Sequence, residues 1–185
     1  MIETDEGVYK RYLEKRDESD LLILLERHRE SLALFLYGFV HNMDDAEELM
    51  MDTYAEIAAG GRFSGKCSFK TWLFSIGKKK ALMFLRKKKS EIYFEETPDE
   101  GVKDEETSPL EMDIFAKERN KQLFSAMENI NEEYKTILIL LYFEDMSMEE
   151  ASKVMGKSRK QVYNLSDRGK KALRVELERM GFEYA

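Results

Sequence analysis

The chain has 185 residues, of which 43% are hydrophobic and 36% charged, and its formal net charge is −7 at pH 7. This composition excludes a disordered chain and favours a helix-rich protein of one domain or two small ones. One cysteine and two separated histidines argue against a disulfide or a metal cluster, and we predict neither a signal sequence nor a membrane-spanning run. We therefore expect a cytoplasmic protein without metal, cofactor or membrane insertion.

Two helices are predicted in the first sixty residues. Ser19 or Asp20 can cap the first, whose apolar residues recur at steps of three and four up to Val40. Asp44 with Glu47 resembles a capping box and starts the second helix. One face of this second helix carries four carboxylates, namely Asp45, Glu48, Asp52 and Glu56. These carboxylates form either a solvated face or a docking surface for a basic partner.

The segment from Lys66 to Lys89 opposes the net charge of the chain, because it has nine basic and no acidic residues. Ser68 can cap a helix here, and apolar residues at steps of three and four give this helix one buried face. A basic outer face suits a phosphate backbone, since each neutralised phosphate releases condensed counterions. The aromatic rings in the helix could stack on single-stranded bases, and they are Phe69, Trp72, Phe74 and Phe84. The alternative is a charged face that only solubilises the protein.

The composition changes after this basic helix. Residues 91–122 carry a net charge of −7 and both prolines of the chain, so we predict a flexible acidic linker over residues 91–113. The helical pattern then resumes, with a helix predicted from Leu110 to Met127 and another capped by Asn131.

The end of the chain is a candidate helix-turn-helix. Ser147 with Glu150 predicts a capping box for a short helix, Gly156 supplies the turn, and Ser158 caps a long final helix. The start of that final helix presents polar residues of the types that contact base edges in the major groove. These residues are Arg159, Lys160, Gln161, Asn164, Arg168 and Lys171. The alternative is an ordinary antiparallel helical hairpin.

These segments, in this order, resemble the sigma factors of the extracytoplasmic-function group, which are small initiation factors of bacterial RNA polymerase. The similarity covers about Leu22 to Lys89 and Leu123 to Met180. The sequence DDAEELMMDTYAEI looks like the DAEDL-type helix of the family, and FSGKCSFKTWLFSIGKKKALMFLRKKK looks like its promoter-melting segment. The sequence from Ile130 to Arg174 looks like its second DNA-binding domain.

The resemblance implies an all-α fold of two small helical domains joined by a flexible acidic linker. A sigma region 2-like domain would occupy residues 1–90, the linker residues 91–113, and a sigma region 4-like helix-turn-helix domain residues 114–185. The implied function is promoter recognition for core RNA polymerase, without catalysis by this chain. The implied partners are core RNA polymerase, promoter DNA and, as a further partner, an anti-sigma factor.

The resemblance also implies roles for residues of this chain. Asp45, Glu48, Asp52 and Glu56 would dock on the polymerase. Residues implied for capture and melting of the minus-ten element are Phe63, Lys66, Lys70, Trp72, Lys79, Lys80 and Arg86. Residues implied for reading the minus-thirty-five element are Ser158, Arg159, Lys160, Gln161, Asn164, Arg168 and Lys171.

The sequence departs from the family pattern in the melting helix. The family often has Arg-Asn there, with Asp four residues after the Asn, whereas this chain has Lys78, Lys79 and Met83 at those positions. The base contacts of that Asn and the bracing by that Asp are therefore not predicted here. Two other functions stay open: a free-standing helix-turn-helix regulator, and a degenerate sigma-like protein that occupies polymerase without melting promoters.

Overall fold

The computed structural model describes residues 3–94 and 118–182, and in these ranges all regular structure is helical. The helices are α1 (Asp5–Lys15), α2 (Glu18–Val40), α3 (Met43–Ala58), α4 (Phe69–Phe94), α5 (Glu118–Glu128), α6 (Glu132–Leu138), α7 (Met148–Met155) and α8 (Arg159–Arg179). A π-helical segment, Ile139–Phe143, continues α6. The predicted all-α fold is confirmed. We call residues 3–94 the N-terminal half and residues 118–182 the C-terminal half.

The N-terminal half is organised around α2, which packs against α1, α3 and α4. Close packing explains Gly77 in the middle of α4, since a Cβ atom there would lie 3.1 Å from Leu32 Cδ1 on α2. Phe69 and Phe74 are fully buried in this core. The prediction that these two rings are available to stack on bases is therefore wrong, because α4 uses them to pack on its neighbours.

Side chains cap the helices of this half, but two predicted caps were wrong. Asp17 caps α2, earlier in the chain than either predicted residue. Asn42, rather than Asp44, caps α3, because Asn42 has an extended backbone and its Oδ1 accepts the backbone N–H of Asp45 at 2.9 Å. The cap of α4 is as predicted, since Ser68 Oγ accepts the N–H three residues further on at 3.2 Å.

Helix α1 is absent from the sequence-based prediction. Thr4 caps it, and Asp5 and Glu6 lie in its first turn, where they complement the helix dipole. Its attachment to α2 includes His28, which is buried and lies 2.7 Å from Asp5 Oδ2 through its Nε2 atom.

The C-terminal half is organised around α6, and α8 packs along α6, α5 and α7. Both predicted caps are confirmed as capping boxes, Ser147 with Glu150 on α7 and Ser158 with Gln161 on α8. Gly156 makes the turn between the two helices at φ +65°, a left-handed conformation that favours glycine. The helix-turn-helix prediction is therefore confirmed in its caps, turn and order.

The two halves contact each other through α4 with α7 and through α2 with α6. α4 continues to Phe94, four residues into the range predicted as linker. Residues 95–113 of that linker, and the start of the helix predicted from Leu110, lie outside the described residues.

Among the residues described, none of the helices combines the length and the apolar character that crossing a membrane would need, and no cluster of His, Cys, Asp or Glu could hold a metal ion.

Candidate nucleic-acid interface

The four carboxylates of α3 line one side of a groove whose other side is the basic face of α4. We call them the acidic face: Asp45, Glu48, Asp52 and Glu56. Two of them pair with lysines across the groove, Glu56 Oε2 with Lys80 Nζ at 3.1 Å and Asp45 Oδ2 with Lys88 Nζ at 3.7 Å. Because such partly exposed pairs contribute only about 0–1 kcal/mol, a basic partner can replace these lysines at little cost.

The residues predicted to bind the minus-ten element lie along α4 and the loop before it, but their accessibility differs. Lys66, Lys79 and Arg86 are exposed, whereas Lys80 is partly covered by its pair with Glu56. Lys70 is 30% exposed, and its ammonium donates a hydrogen bond to the Glu144 carbonyl oxygen at 2.9 Å.

Glu144 is a buried carboxylate at the contact between the two halves. Its side chain is only 2% exposed, and Oε2 lies 2.8 Å from Lys70 Nζ. That carboxylate oxygen makes no well-aligned hydrogen bond, so the ammonium compensates its charge mainly through proximity. A buried carboxylate needs such a cation, and Lys70 cannot leave without exposing Glu144 to water or leaving it uncompensated.

A second lysine of α4 joins the same interface. Lys78 Nζ donates to the carbonyl oxygens of Met155 at 2.7 Å and Val154 at 3.3 Å, at the C-terminal end of α7. These carbonyls have no partner within the helix, and they carry the negative end of its dipole. Burial lowers the pKa of Lys78, and the nearby Lys157 lowers it further. This role of Lys78 could not be predicted from the sequence, because the acceptors are backbone atoms 76 and 77 residues away.

Glu150 connects the halves through its two carboxylate oxygens. Oε2 accepts the backbone N–H of Ser147 at 3.0 Å within the capping box, while Oε1 accepts from Ser68 Oγ at 3.0 Å and lies 3.4 Å from Thr71 Oγ1. The backbone hydrogen bond from Ser147 and those from the hydroxyls hold the pKa of Glu150 below its usual value. One carboxylate thus caps α7 and also contacts the start of α4.

The α3–α4 loop (residues 59–68) presents an exposed tip at Ser64, Gly65 and Lys66. Behind the tip, the Phe63 and Trp72 rings lie 5.1 Å apart between centroids at an interplanar angle of 45°, and both are only partly buried. They are therefore placed where unstacked bases could reach them.

The predicted reading face of α8 is formed by residues that are all exposed. They are Ser158, Arg159, Lys160, Gln161, Asn164, Arg168 and Lys171. The opposite side of α8 packs on the C-terminal half through Val162, Ser166, Gly169 and Leu177. Sequence reasoning missed Tyr163, which is 64% exposed next to Asn164 and adds an aromatic ring to this face. The position of Tyr163 next to the predicted contact residue Asn164 could have indicated it from the sequence.

Two family models match the chain. The model for sigma-70 region 2 matches residues 24–91, and the model for sigma-70 region 4 matches residues 120–173. Among curated relatives, the ECF RNA polymerase sigma factor SigX of Bacillus subtilis (strain 168) is 25% identical over 168 residues, 87% of this chain and 85% of that protein. The RNA polymerase sigma factor SigV of the same organism is 26% identical over 161 residues, 85% of this chain and 90% of that protein.

Solved structures show the same fold. CnrH, solved in complex with the cytosolic domain of CnrY, is 20% identical with a TM-score of 0.69, over 95% of this chain and 98% of that one. The sigma factor RpoE of Bartonella quintana, solved with the anti-sigma factor NepR, also has 20% identity and a TM-score of 0.69, over 86% and 97% of the two chains. With region 2 matching the N-terminal half and region 4 the C-terminal half, the chain belongs to the sigma-70 family of transcription initiation factors, in its extracytoplasmic-function group.

Proposed function

We propose that this chain binds core RNA polymerase through the acidic face of α3 and directs it to promoters whose two elements are contacted by the two halves. The observation that carries this proposal is the combination, in one chain, of a carboxylate face with two separate DNA-binding surfaces. Each surface lies in a half that matches a sigma-70 region. Initiation takes place where polymerase meets the chromosome, which assigns the protein to the cytoplasm.

The chemistry of each surface supports a different task. Lys66, Lys79 and Arg86 are exposed cations that can neutralise phosphates, while Phe63 and Trp72 offer rings to bases that leave the duplex. The start of α8 instead carries exposed side chains suited to paired bases, with Arg matching guanine and Asn or Gln matching adenine in the major groove. The first surface thus suits the opened minus-ten element, and the second the duplex at minus thirty-five.

The described conformation cannot contact both elements at once. Their centres are about 25 base pairs apart, which at about 34 Å per helical turn is roughly 85 Å. In the protein, Lys78 of α4 contacts Met155 at the end of α7. Arg159, at the start of α8, is four residues after Met155, so a chain length of about 14 Å at most separates these two residues. We propose that the two halves separate when the protein binds polymerase and promoter.

An anti-sigma factor is a further proposed partner. The Bartonella RpoE was solved in complex with the anti-sigma factor NepR, and CnrH in complex with the cytosolic domain of CnrY. In this chain a cleft between α4 and α7 has apolar walls formed by Leu82, Met83 and Val154, with basic residues at its edge. Leu82 and Met83 are 36% and 57% exposed, so an acidic amphipathic helix would gain burial by occupying this cleft.

Reconstitution with core polymerase tests the proposed function. The protein should co-elute with polymerase and produce permanganate-reactive thymines on a cognate promoter. Absence of co-elution would favour the free-standing regulator, and co-elution without unpaired thymines would favour the degenerate sigma-like protein. Asp52→Arg should weaken polymerase binding roughly ten- to a hundredfold without unfolding. Glu14→Arg, a matched charge reversal at an exposed residue of α1, should leave that affinity unchanged.

A further inference from the structure

We propose that Tyr9 of α1 is a positioning residue for capture of the minus-ten strand, because its hydroxyl and ring hold the α3–α4 loop in place. This inference rests on the proposed function of that loop. α1 precedes residue 24, where the match to sigma-70 region 2 begins. The contacts of Tyr9 with the loop, which we call the brace, therefore start from a helix outside the segment that the region 2 model matches.

The hydroxyl of Tyr9 joins the end of α3 to the loop. Tyr9 is fully buried, and its Oη lies 3.1 Å from the Ile57 carbonyl oxygen and 3.2 Å from the Gly61 carbonyl oxygen. These carbonyls flank the turn at Gly60, where φ is +87°. A phenol has one proton to donate, so the two carbonyls share it. This hydroxyl is protonated at neutral pH, and burial raises the pKa of Tyr9 further above its usual value.

The ring of Tyr9 supports the aromatic residues that the proposed function assigns to the bases. Its centroid lies 5.3 Å from Trp72 and 6.0 Å from Phe63, in tilted and edge-on arrangements. The loop backbone is also close to this cluster, since a Cβ atom on Gly61 would lie 3.0 Å from Trp72 Cζ2. A shift of the loop would therefore move Phe63 relative to Trp72.

α1 holds the other end of the loop as well. Glu6 Oε1 accepts the backbone N–H of Phe69, the first residue of α4, at 2.7 Å. The loop is thus fixed from α1 at both ends, while its tip at residues 64–66 is exposed. Because the loop is held in few conformations before binding, it loses less conformational entropy when it binds DNA. A buried residue without DNA contact can therefore affect strand capture.

The test is Tyr9→Phe in the holoenzyme, with a single-stranded oligonucleotide that carries the minus-ten non-template sequence as the probe. We expect capture to weaken roughly three- to tenfold, because Phe keeps the ring but removes the hydroxyl that joins the two carbonyls, which then keep only the backbone N–H groups of Gly60 and Phe63 as donors. Binding of a minus-thirty-five duplex should not change. Trp72 is the only tryptophan of the chain, so its emission should shift to the red as the loop loosens.

Tyr12→Phe is the matched control on the same helix. Tyr12 donates to the Ala58 carbonyl oxygen at 2.7 Å, inside α3, where Arg16 is a second donor at 3.3 Å. It should lower the thermal midpoint to a similar extent and leave strand capture intact. Equal loss of capture in both variants would show a merely structural role and overturn the proposal, as would unchanged capture by Tyr9→Phe.

Glu6→Ala keeps the proposal testable if Tyr9→Phe does not fold. It removes the contact with the start of α4 and leaves the aromatic cluster whole, so capture should fall while minus-thirty-five binding stays. Unchanged capture in that variant would overturn the proposal. A wild-type holoenzyme that fails to capture the strand would instead overturn the proposed function itself, together with this inference.

Discussion

The two helices that we propose bind DNA, α4 and α8, differ in what covers them. On α4, Lys70 and Lys78 contact the C-terminal half, and Lys80 pairs with α3. On α8, every predicted reading residue is exposed, and packing is confined to the opposite side. The proposed minus-thirty-five surface is therefore accessible within its own half, whereas access to the proposed minus-ten surface depends on how the halves are arranged.

The difference follows from the neighbours of each helix. α4 packs against α1, α2 and α3 within its half and against α7 of the other half. In the described part of the chain, the main neighbours of α8 are α5, α6 and α7, all in the C-terminal half. A helix with neighbours on several sides must direct its lysines to acceptors among them, because an unpaired buried ammonium is costly. A basic sequence alone therefore does not ensure that a DNA-binding surface is accessible.

The largest expected effect comes from removing Glu144. This change should uncover α4 and so remove the difference in exposure between α4 and α8. Glu144→Ala leaves Lys70 without its buried partner, and we expect the interface between the halves to lose about 2–3 kcal/mol. Small-angle scattering should show a larger radius of gyration, and affinity for single-stranded minus-ten DNA should rise. Glu149→Ala, which removes an exposed carboxylate of α7, is the control. Unchanged scattering and affinity would contradict the account.

A change on α8 should affect one promoter element only. Asn164→Ala removes an exposed amide that can pair with adenine, and we expect a loss of about 1–2 kcal/mol at the minus-thirty-five element, with relaxed preference at one base. Capture of single-stranded minus-ten DNA should not change. Competition binding with a set of duplexes, each altered at one position, measures this effect. A uniform loss over all duplexes would show that Asn164 contacts the backbone rather than a base.

The cations of α4 should show themselves in the salt dependence of binding. Lys79→Ala combined with Lys80→Ala removes up to two phosphate contacts, so the slope of log affinity against log salt should decrease by about 1–2. Promoter opening should fall, and minus-thirty-five preference should be retained. Titrations at several salt concentrations give the slope. An unchanged slope would mean that α4 does not bind phosphates through these residues.

The smallest effect is a pH dependence that originates in Glu150. Hydrogen bonds lower its folded pKa below the ordinary value of 4.5, so its stabilising contribution is present above pH 4.5 and is lost as pH falls through the lowered value. Glu150→Gln should flatten this part of the curve of thermal midpoint against pH. Because other carboxylates titrate in the same range, the difference between wild type and variant is the quantity to measure. Parallel curves of thermal midpoint against pH would show that Glu150 does not stabilise the contact between the halves.

Local sequence rules predicted the C-terminal half well. The capping boxes at Ser147 and Ser158 and the turn at Gly156 depend on residues within one or two helical turns of each other, so their pattern is visible in the sequence. The same holds for the exposed face of α8, which follows from periodicity.

The N-terminal half and the contact between the halves could not be predicted in the same way. Lys70 and Glu144 are 74 residues apart, and no periodic pattern relates them. Periodicity placed Phe69 and Phe74 on α4, but only the packed neighbours show that both rings belong to the core. α1 carried a local signal at Thr4 with Asp5 and Glu6, although its role as a brace depends on carbonyls about fifty residues away.

The separation of the halves on promoter binding tests the central claim most directly. Spin labels at Leu22→Cys on α2 and Val175→Cys on α8, both exposed positions, report the distance between the halves when Cys67 is replaced by serine. The free protein should give one narrow distribution of distances between the labels. In the complex with core polymerase and promoter this distance should be longer by tens of ångströms, toward the spacing of roughly 85 Å between the elements. An unchanged distance in a complex that initiates transcription would contradict the account.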